Sequence, residues 1–196
     1  QYMDLVNPNI YSTINKILKD PSTTPQQRDI LNTLLSVSQF MPDIDFELSR
    51  QVLYVEDDTF ASGYYSLAHN KIVINAAAVS LMTKDQFKNL LIHEMVHATF
   101  SSVLENPRTP AEKTFASEMK RIFEYYQEKY RDQETIGDFY GIKNVDEFLA
   151  EFLSNPQFRA IVREQAPEVH GSFIQSILNL FRKMFAKLTG RSNRQV

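Results

Sequence analysis

Leu90-Leu91-Ile92-His93-Glu94-Met95-Val96-His97-Ala98-Thr99-Phe100 holds two histidines four residues apart and a glutamate directly after the first. On an α-helix, residues four apart stand one above the other, so His93 and His97 can each turn an imidazole nitrogen toward one metal ion. Glu94 then lies close to a water on that ion. Zinc lowers the pKa of such a water toward about 7 and polarises a carbonyl, while a neighbouring glutamate takes the water's proton and hands it to a leaving amine. Peptide hydrolysis requires these parts. With four histidines in the chain, His-Glu-x-x-His arises by chance in a sequence of this size with a probability on the order of one in two hundred. Phe87, Leu90, Leu91, Val96 and Phe100 surround it with apolar positions, as in a core helix whose polar residues are confined to a site. Two face histidines beside an unrelated glutamate would not need that setting.

Composition narrows the chemistry. The 196 residues are 43% hydrophobic and 12% aromatic, enough for a domain with its own core. A net charge of -3 gives no overall electrostatic case for nucleic acid. The absence of cysteine excludes disulfides and thiolate zinc sites, so any metal must be held by His, Asp or Glu; it also fits a reducing compartment. No apolar run approaches the roughly 18 to 20 residues of a membrane span, and the first residues do not resemble a signal peptide. Because the first residue is Gln1, the sequence is expected to be a segment of a longer polypeptide, cytoplasmic or, if phage-derived, associated with the virion.

Outward from the histidines, Thr83-Lys84-Asp85-Gln86 has capping-box spacing and sets the start of the metal helix near Lys84, with Asn106-Pro107 ending it near Leu104. Upstream, Lys71-Ile72-Val73-Ile74-Asn75 and Gly63-Tyr64-Tyr65-Ser66-Leu67 read as a hairpin turning at His69-Asn70, and His69 reads as a surface histidine. The strand Lys71, Ile72, Val73, Ile74, Asn75 is expected to be an edge beside the metal helix. There it could pair with an extended polypeptide substrate, the alternative being an ordinary sheet edge. Asp45-Phe46-Glu47-Leu48 and Gln51-Val52-Leu53-Tyr54-Val55 alternate as strands do. Residues 1–42 carry two helical patterns, Ile10-Ile14-Ile17-Leu18 closed by Pro21 and Ile30-Leu31-Leu34-Leu35 opened by Pro25, read as a scaffold pair on the core.

Downstream, a helix running roughly from Pro110 to Tyr130 is expected to turn Phe115, Met119, Ile122, Phe123 and Tyr126 inward. After a loop at Gly137–Lys143, residues 144–155 form a helix that Pro156 interrupts. It offers two carboxylates one turn apart on one face, Glu147 and Glu151. Asn144 and Glu147 have capping-box spacing, which gives Glu147 work at the helix start. Glu151 lies among Phe148, Leu149, Phe152 and Leu153, where an unpaired carboxylate is costly and a zinc ion would relieve it. Glu151 is therefore expected as the third ligand, with Glu147 orienting a histidine or capping the helix.

His93-Glu94-Met95-Val96-His97 with Glu147-Phe148-Leu149-Ala150-Glu151-Phe152 further on resembles the glutamate zincins. In particular it looks like lethal factor-like catalytic domains, including clostridial Pro-Pro endopeptidases, and like metallopeptidase modules of large phage polyproteins. The resemblance spans roughly Gly63 to Phe158. It implies an α+β, mostly helical zincin-like fold with a small sheet, one Zn2+, and a second-glutamate ligand mapping to Glu151. Thermolysin-like members carry an aspartate four residues after the ligand glutamate. That position is Asn155 if Glu151 binds and Glu151 if Glu147 binds. The resemblance also implies a tyrosine about two turns before the ligand glutamate, where Asn144 stands if Glu151 binds. Tyr140 is the nearest tyrosine and the expected donor to the oxyanion.

From Gly171 onward acidic residues are absent while Arg182, Lys183, Lys187, Arg191 and Arg194 are basic, and Phe173, Ile174, Ile177, Leu178, Phe181, Met184, Phe185 and Leu188 form an apolar stripe. Residues 169–196 are read as a final amphipathic helix and basic tail, docked on the domain or touching a membrane surface or protein partner. Residues 43–168 then form the catalytic core. The function expected is zinc-dependent endopeptidase cleavage with Glu94 as base. The alternative is a catalytically silent zincin-fold module of a larger phage or toxin polypeptide.

Overall fold

The computed structural model describes residues 3–38, 44–50, 54–55, 59–60, 62–131, 140–165, 179 and 182–183. The expected final helix and tail lie outside these, apart from Asn179, Arg182 and Lys183. Helices dominate and one three-stranded mixed sheet accompanies them, the α+β architecture expected. Among the described residues, no helix is long and apolar enough to cross a membrane. Residues 1–99 and 100–196 are two compact units, with the division falling inside one continuous helix.

In the first unit, α1 (Ile10–Lys19) begins at Asn9, whose side chain accepts from the Ser12 amide, and buries Ile10, Ile14 and Ile17. Helix α2 (Pro25–Ser38) is opened by a reciprocal box: Gln27 N–H donates to the Thr24 hydroxyl at 3.2 Å and Thr24 N–H to the Gln27 carbonyl at 2.9 Å. The sheet follows: β1 (Asp45–Ser49), β4 (Gly63–Ser66) and β5 (Lys71–Asn75), in the order β1-β5-β4, while β2 (Tyr54–Val55) pairs with β3 (Thr59–Phe60) separately. The hairpin β4–β5 turns through Leu67–Asn70, where Asn70 adopts φ 47° as Asn tolerates.

The sheet order corrects one expectation. Lys71–Asn75 is not an edge: β5 pairs with β1 in parallel on one side and with β4 antiparallel on the other. Both rows of its backbone groups are in use, and Ile72, Val73, Ile74 and Asn75 are all buried, the continuous burial of a central strand. Period alone could not separate this run from a half-buried edge.

Asn75 caps the short α3 (Ala76–Val79), and the Thr83–Gln86 box opens α4 (Lys84–Glu105) as expected. A polar lock then ties the α1–α2 turn to the first turns of α4. The Lys88 ammonium, 1% exposed, donates to the Ser22 hydroxyl at 2.8 Å and the Thr23 hydroxyl at 3.0 Å and stands 3.2 Å from Asp20 Oδ1. Lys84 pairs with the other Asp20 oxygen, and Gln27 Nε2 donates to Asp85 at 3.0 Å and Asn89 at 2.9 Å. Lys84 first, then the Ser22 hydroxyl and amide, hold the Asp20 carboxyl far below its ordinary 3.8 despite burial.

Asp20→Ala would leave the buried Lys88 ammonium facing only hydroxyls, and is expected to cost about 3 to 5 kcal/mol in urea unfolding at pH 7. A carboxyl whose folded pKa is depressed stabilises fully above its unfolded value and loses that contribution as the pH falls. The gap between parent and variant should therefore be complete above the ordinary value of 3.8 and narrow below it. A gap that is absent at pH 7, or that widens in acid, overturns this account.

The second unit is built on aromatic packing. Helix α5 (Pro110–Tyr130) starts at a full Thr109–Glu112 capping box and buries Phe115, Met119, Phe123, Tyr126 and Tyr130. A 3-10 turn (Tyr140–Ile142) leads into α6 (Val145–Ser154), and Asn155 then caps α7 (Pro156–Gln165) by accepting from the Gln157 and Phe158 amides. Pro156 thus ends one helix and opens the next. Burial pushes the Tyr126 and Tyr130 phenols up to about 12, so both stay neutral at any ordinary pH.

Candidate metal centre

From Leu91 to Ser101, α4 is buried at every position except the half-buried His93. A helix enclosed on all faces tolerates polar side chains only where they have partners. His93 and His97 face each other: their Nε2 atoms are 3.0 Å apart, with ring centroids 4.7 Å apart at 73°. Two imidazoles on one tetrahedral zinc, at about 2.0 to 2.1 Å each, would hold their nitrogens about 3.3 Å apart. The observed spacing is close to that.

Helix α6 brings the carboxylate. Asn144 accepts from the Glu147 amide at 2.8 Å, fixing the helix start. One residue later Phe148 is seated in an aromatic nest, with ring centroids 5.6 Å from Tyr126, 5.7 Å from Phe158, and 6.0 Å from Phe123 and Phe152. That seating leaves the rotation of the helix little freedom, and so sets where Glu147 points. Ligand atoms of His93, His97 and Glu147 lie within 4.8 Å of one another, a group that could hold a metal. Glu147 Oε2 is closed off from solvent, as a carboxylate oxygen meeting a cation would be.

Glu151, expected from the sequence as the third ligand, is not in that group. Its Oε2 accepts from Asn155 Nδ2 at 2.9 Å, and its Cβ lies against the turn at Gly141, where an added Cβ would stand 3.0 Å away. Only half of the anticipated capping box is needed to start α6. The Asn144 side chain covers the Glu147 amide, and the Glu147 carboxylate stands with the imidazoles.

Glu94 is 4% exposed, on the turn that carries His93. It lies beside Gly63, the first residue of β4, where an added Cβ would stand 3.6 Å from Glu94 Cγ, 3.0 Å from the Val73 carbonyl oxygen and 3.1 Å from Ile74 Cδ1. Sequence reasoning missed Gly63, since a lone strand glycine signals only that something approaches closely. Among the described residues β4 pairs on one side alone, so the outer strand next to the glutamate is β4 rather than β5. Tyr140 opens the 3-10 turn that packs on α6, seven residues before Glu147. His69 is exposed in the hairpin turn, as expected.

A protein-family model described as the SprT-like family matches residues 32–134. The match takes in the sheet, α4 with His93, Glu94 and His97, and α5, and stops short of α6. No curated protein and no solved structure matches.

Proposed function

Because this chain belongs to the SprT-like family, which is related to zincin-like metallopeptidases, we propose that it is a zinc-dependent endopeptidase of the glutamate-zincin type, with His93, His97 and Glu147 holding the metal. The observation that carries this reading is the gathering of the three ligand atoms within 4.8 Å. Their chemistry fits zinc: two neutral imidazoles and one carboxylate complete three positions of a tetrahedral catalytic site and leave the fourth open. When bound there, zinc supplies Lewis acidity to the scissile carbonyl and to a water.

The chain's own groups do the rest. Glu94 takes the attacking water's proton and delivers it to the leaving amine, and its near-complete burial keeps the proton from bulk solvent. Gly63 lets β4 approach β5 closely beside Glu94, since an added Cβ would crowd the Val73 carbonyl oxygen and Ile74 Cδ1. The outer edge of β4 offers main-chain groups to an extended polypeptide substrate. Tyr140 donates to the developing oxyanion. The resemblance to lethal factor-like enzymes asks for a tyrosine about two turns before the ligand glutamate, and Tyr140 fills that place once Glu147 is the ligand.

The test is digestion of a peptide library by the zinc-loaded protein, read by mass spectrometry. Cleavage that a chelator stops and added zinc restores is the expected result. Zinc uptake with no peptide cut would overturn this reading in favour of a catalytically silent zincin-fold module.

A further inference from the structure

One turn beyond His97 on α4, Ser101 is 7% exposed and donates its hydroxyl to Asp146 Oδ2 at 2.6 Å. Asp146 is the second residue of α6 and the neighbour of Glu147, and its other carboxylate oxygen is closed off from solvent. A short bond from a hydroxyl to a carboxylate is among the stronger hydrogen bonds. This one joins the helix that carries both histidines to the first turn of the helix that carries the carboxylate. Histidines 93 and 97 and Ser101 follow at four-residue intervals along one face of α4. The Asn144 cap and the Phe148 nest fix the height and rotation of α6 within its own surroundings. Neither ties its first turn to α4.

With the metal reading above as its premise, we infer that Ser101 and Asp146 are positioning residues for the metal centre: their hydrogen bond holds the first turn of α6 so that Glu147 is presented beside His97. Neither residue contributes a ligand atom to the group that gathers at the histidines. Their effect is on how much freedom Glu147 must lose when an ion binds. Partners outside a coordination shell that orient its ligands typically change metal affinity by about 10- to 100-fold.

The pair is tested by zinc binding to the full chain, with the dissociation constant taken from competition with a chromophoric chelator and the melting temperature measured with and without metal. Ser101→Ala should bind zinc about 10- to 100-fold more weakly, whatever the lost hydrogen bond also takes from its metal-free melting temperature. Asp146→Ala removes the same contact from the other helix and should match it. Asp146→Asn keeps an acceptor oxygen at the same reach and should recover most of the affinity. Parental zinc affinity in both alanine variants overturns the inference, as does a lowered metal-free melting temperature with affinity retained, which would make the bond a folding contact. A parent chain that takes up no zinc overturns the metal reading itself, and is told apart from the first case because there the parent binds.

Discussion

Glu94→Gln is expected to keep zinc affinity within about twofold of the parent and to lower kcat/KM on a cleavable peptide by about two to four orders of magnitude, the range a positioned acid–base group supplies. The amide is nearly isosteric with the carboxylate, so the packing against Gly63 is retained. Glu94 is outside the group whose ligand atoms meet, so the metal has no reason to leave. What is lost is an acceptor for the water's proton and a donor to the departing nitrogen. The measurement pairs metal analysis of the purified variant with single-peptide kinetics, and comparing the two decides the outcome. A variant that cleaves as fast as the parent removes Glu94 from the mechanism. One that loses zinc along with activity shows that the residue supports the metal instead.

How far the sequence could be read differs by element. The metal helix was legible from its cap to its end, because Thr83 and Gln86 mark the start chemically and the histidine spacing fixes the face. Helix α5 was legible too, with ends close to those expected, although Ile122, expected inward, is only half-buried. Strand β5 was read as a strand but misplaced in the sheet, since pairing partners on both sides are a tertiary fact: Asp45–Ser49 lies more than twenty residues upstream of the strand it joins. The Asp20–Lys88 lock left no trace in hydrophobic period. A lysine in an amphipathic helix reads as solvated until a turn far away in sequence supplies Ser22 and Thr23 to receive it. Residue 20 and its neighbours also lie outside the 32–134 family match, whereas Lys88 lies inside it.

The choice between the two glutamates has the sharpest expected consequence for the metal. Glu147→Gln should weaken zinc binding by more than about a hundredfold, beyond the span of an orienting partner, whereas Glu151→Gln should stay within about tenfold. At free zinc a hundred times the parent's Kd, the metal stabilises the parent by about 2.7 kcal/mol. A hundredfold weaker variant at the same concentration keeps only about 0.4 kcal/mol of that. The zinc-induced rise in melting temperature should therefore nearly vanish for Glu147→Gln and survive in Glu151→Gln. The sequence argument for Glu151 was that a carboxylate among phenylalanines needs a cation, but Asn155 already donates to it and the turn at Gly141 covers its stem. With Glu147 as ligand two features of the resemblance fall into register together: a tyrosine stands seven residues before it, and a carboxylate, Glu151, stands four residues after it, where thermolysin-like enzymes carry aspartate. With Glu151 as ligand those two places hold Asn144, whose side chain is engaged in capping α6, and Asn155, which carries no negative charge. If Glu151→Gln abolishes the zinc shift while Glu147→Gln preserves it, the rotation of α6 fixed by the Phe148 nest is not what presents the ligand, and Tyr140 loses its place in the mechanism with it.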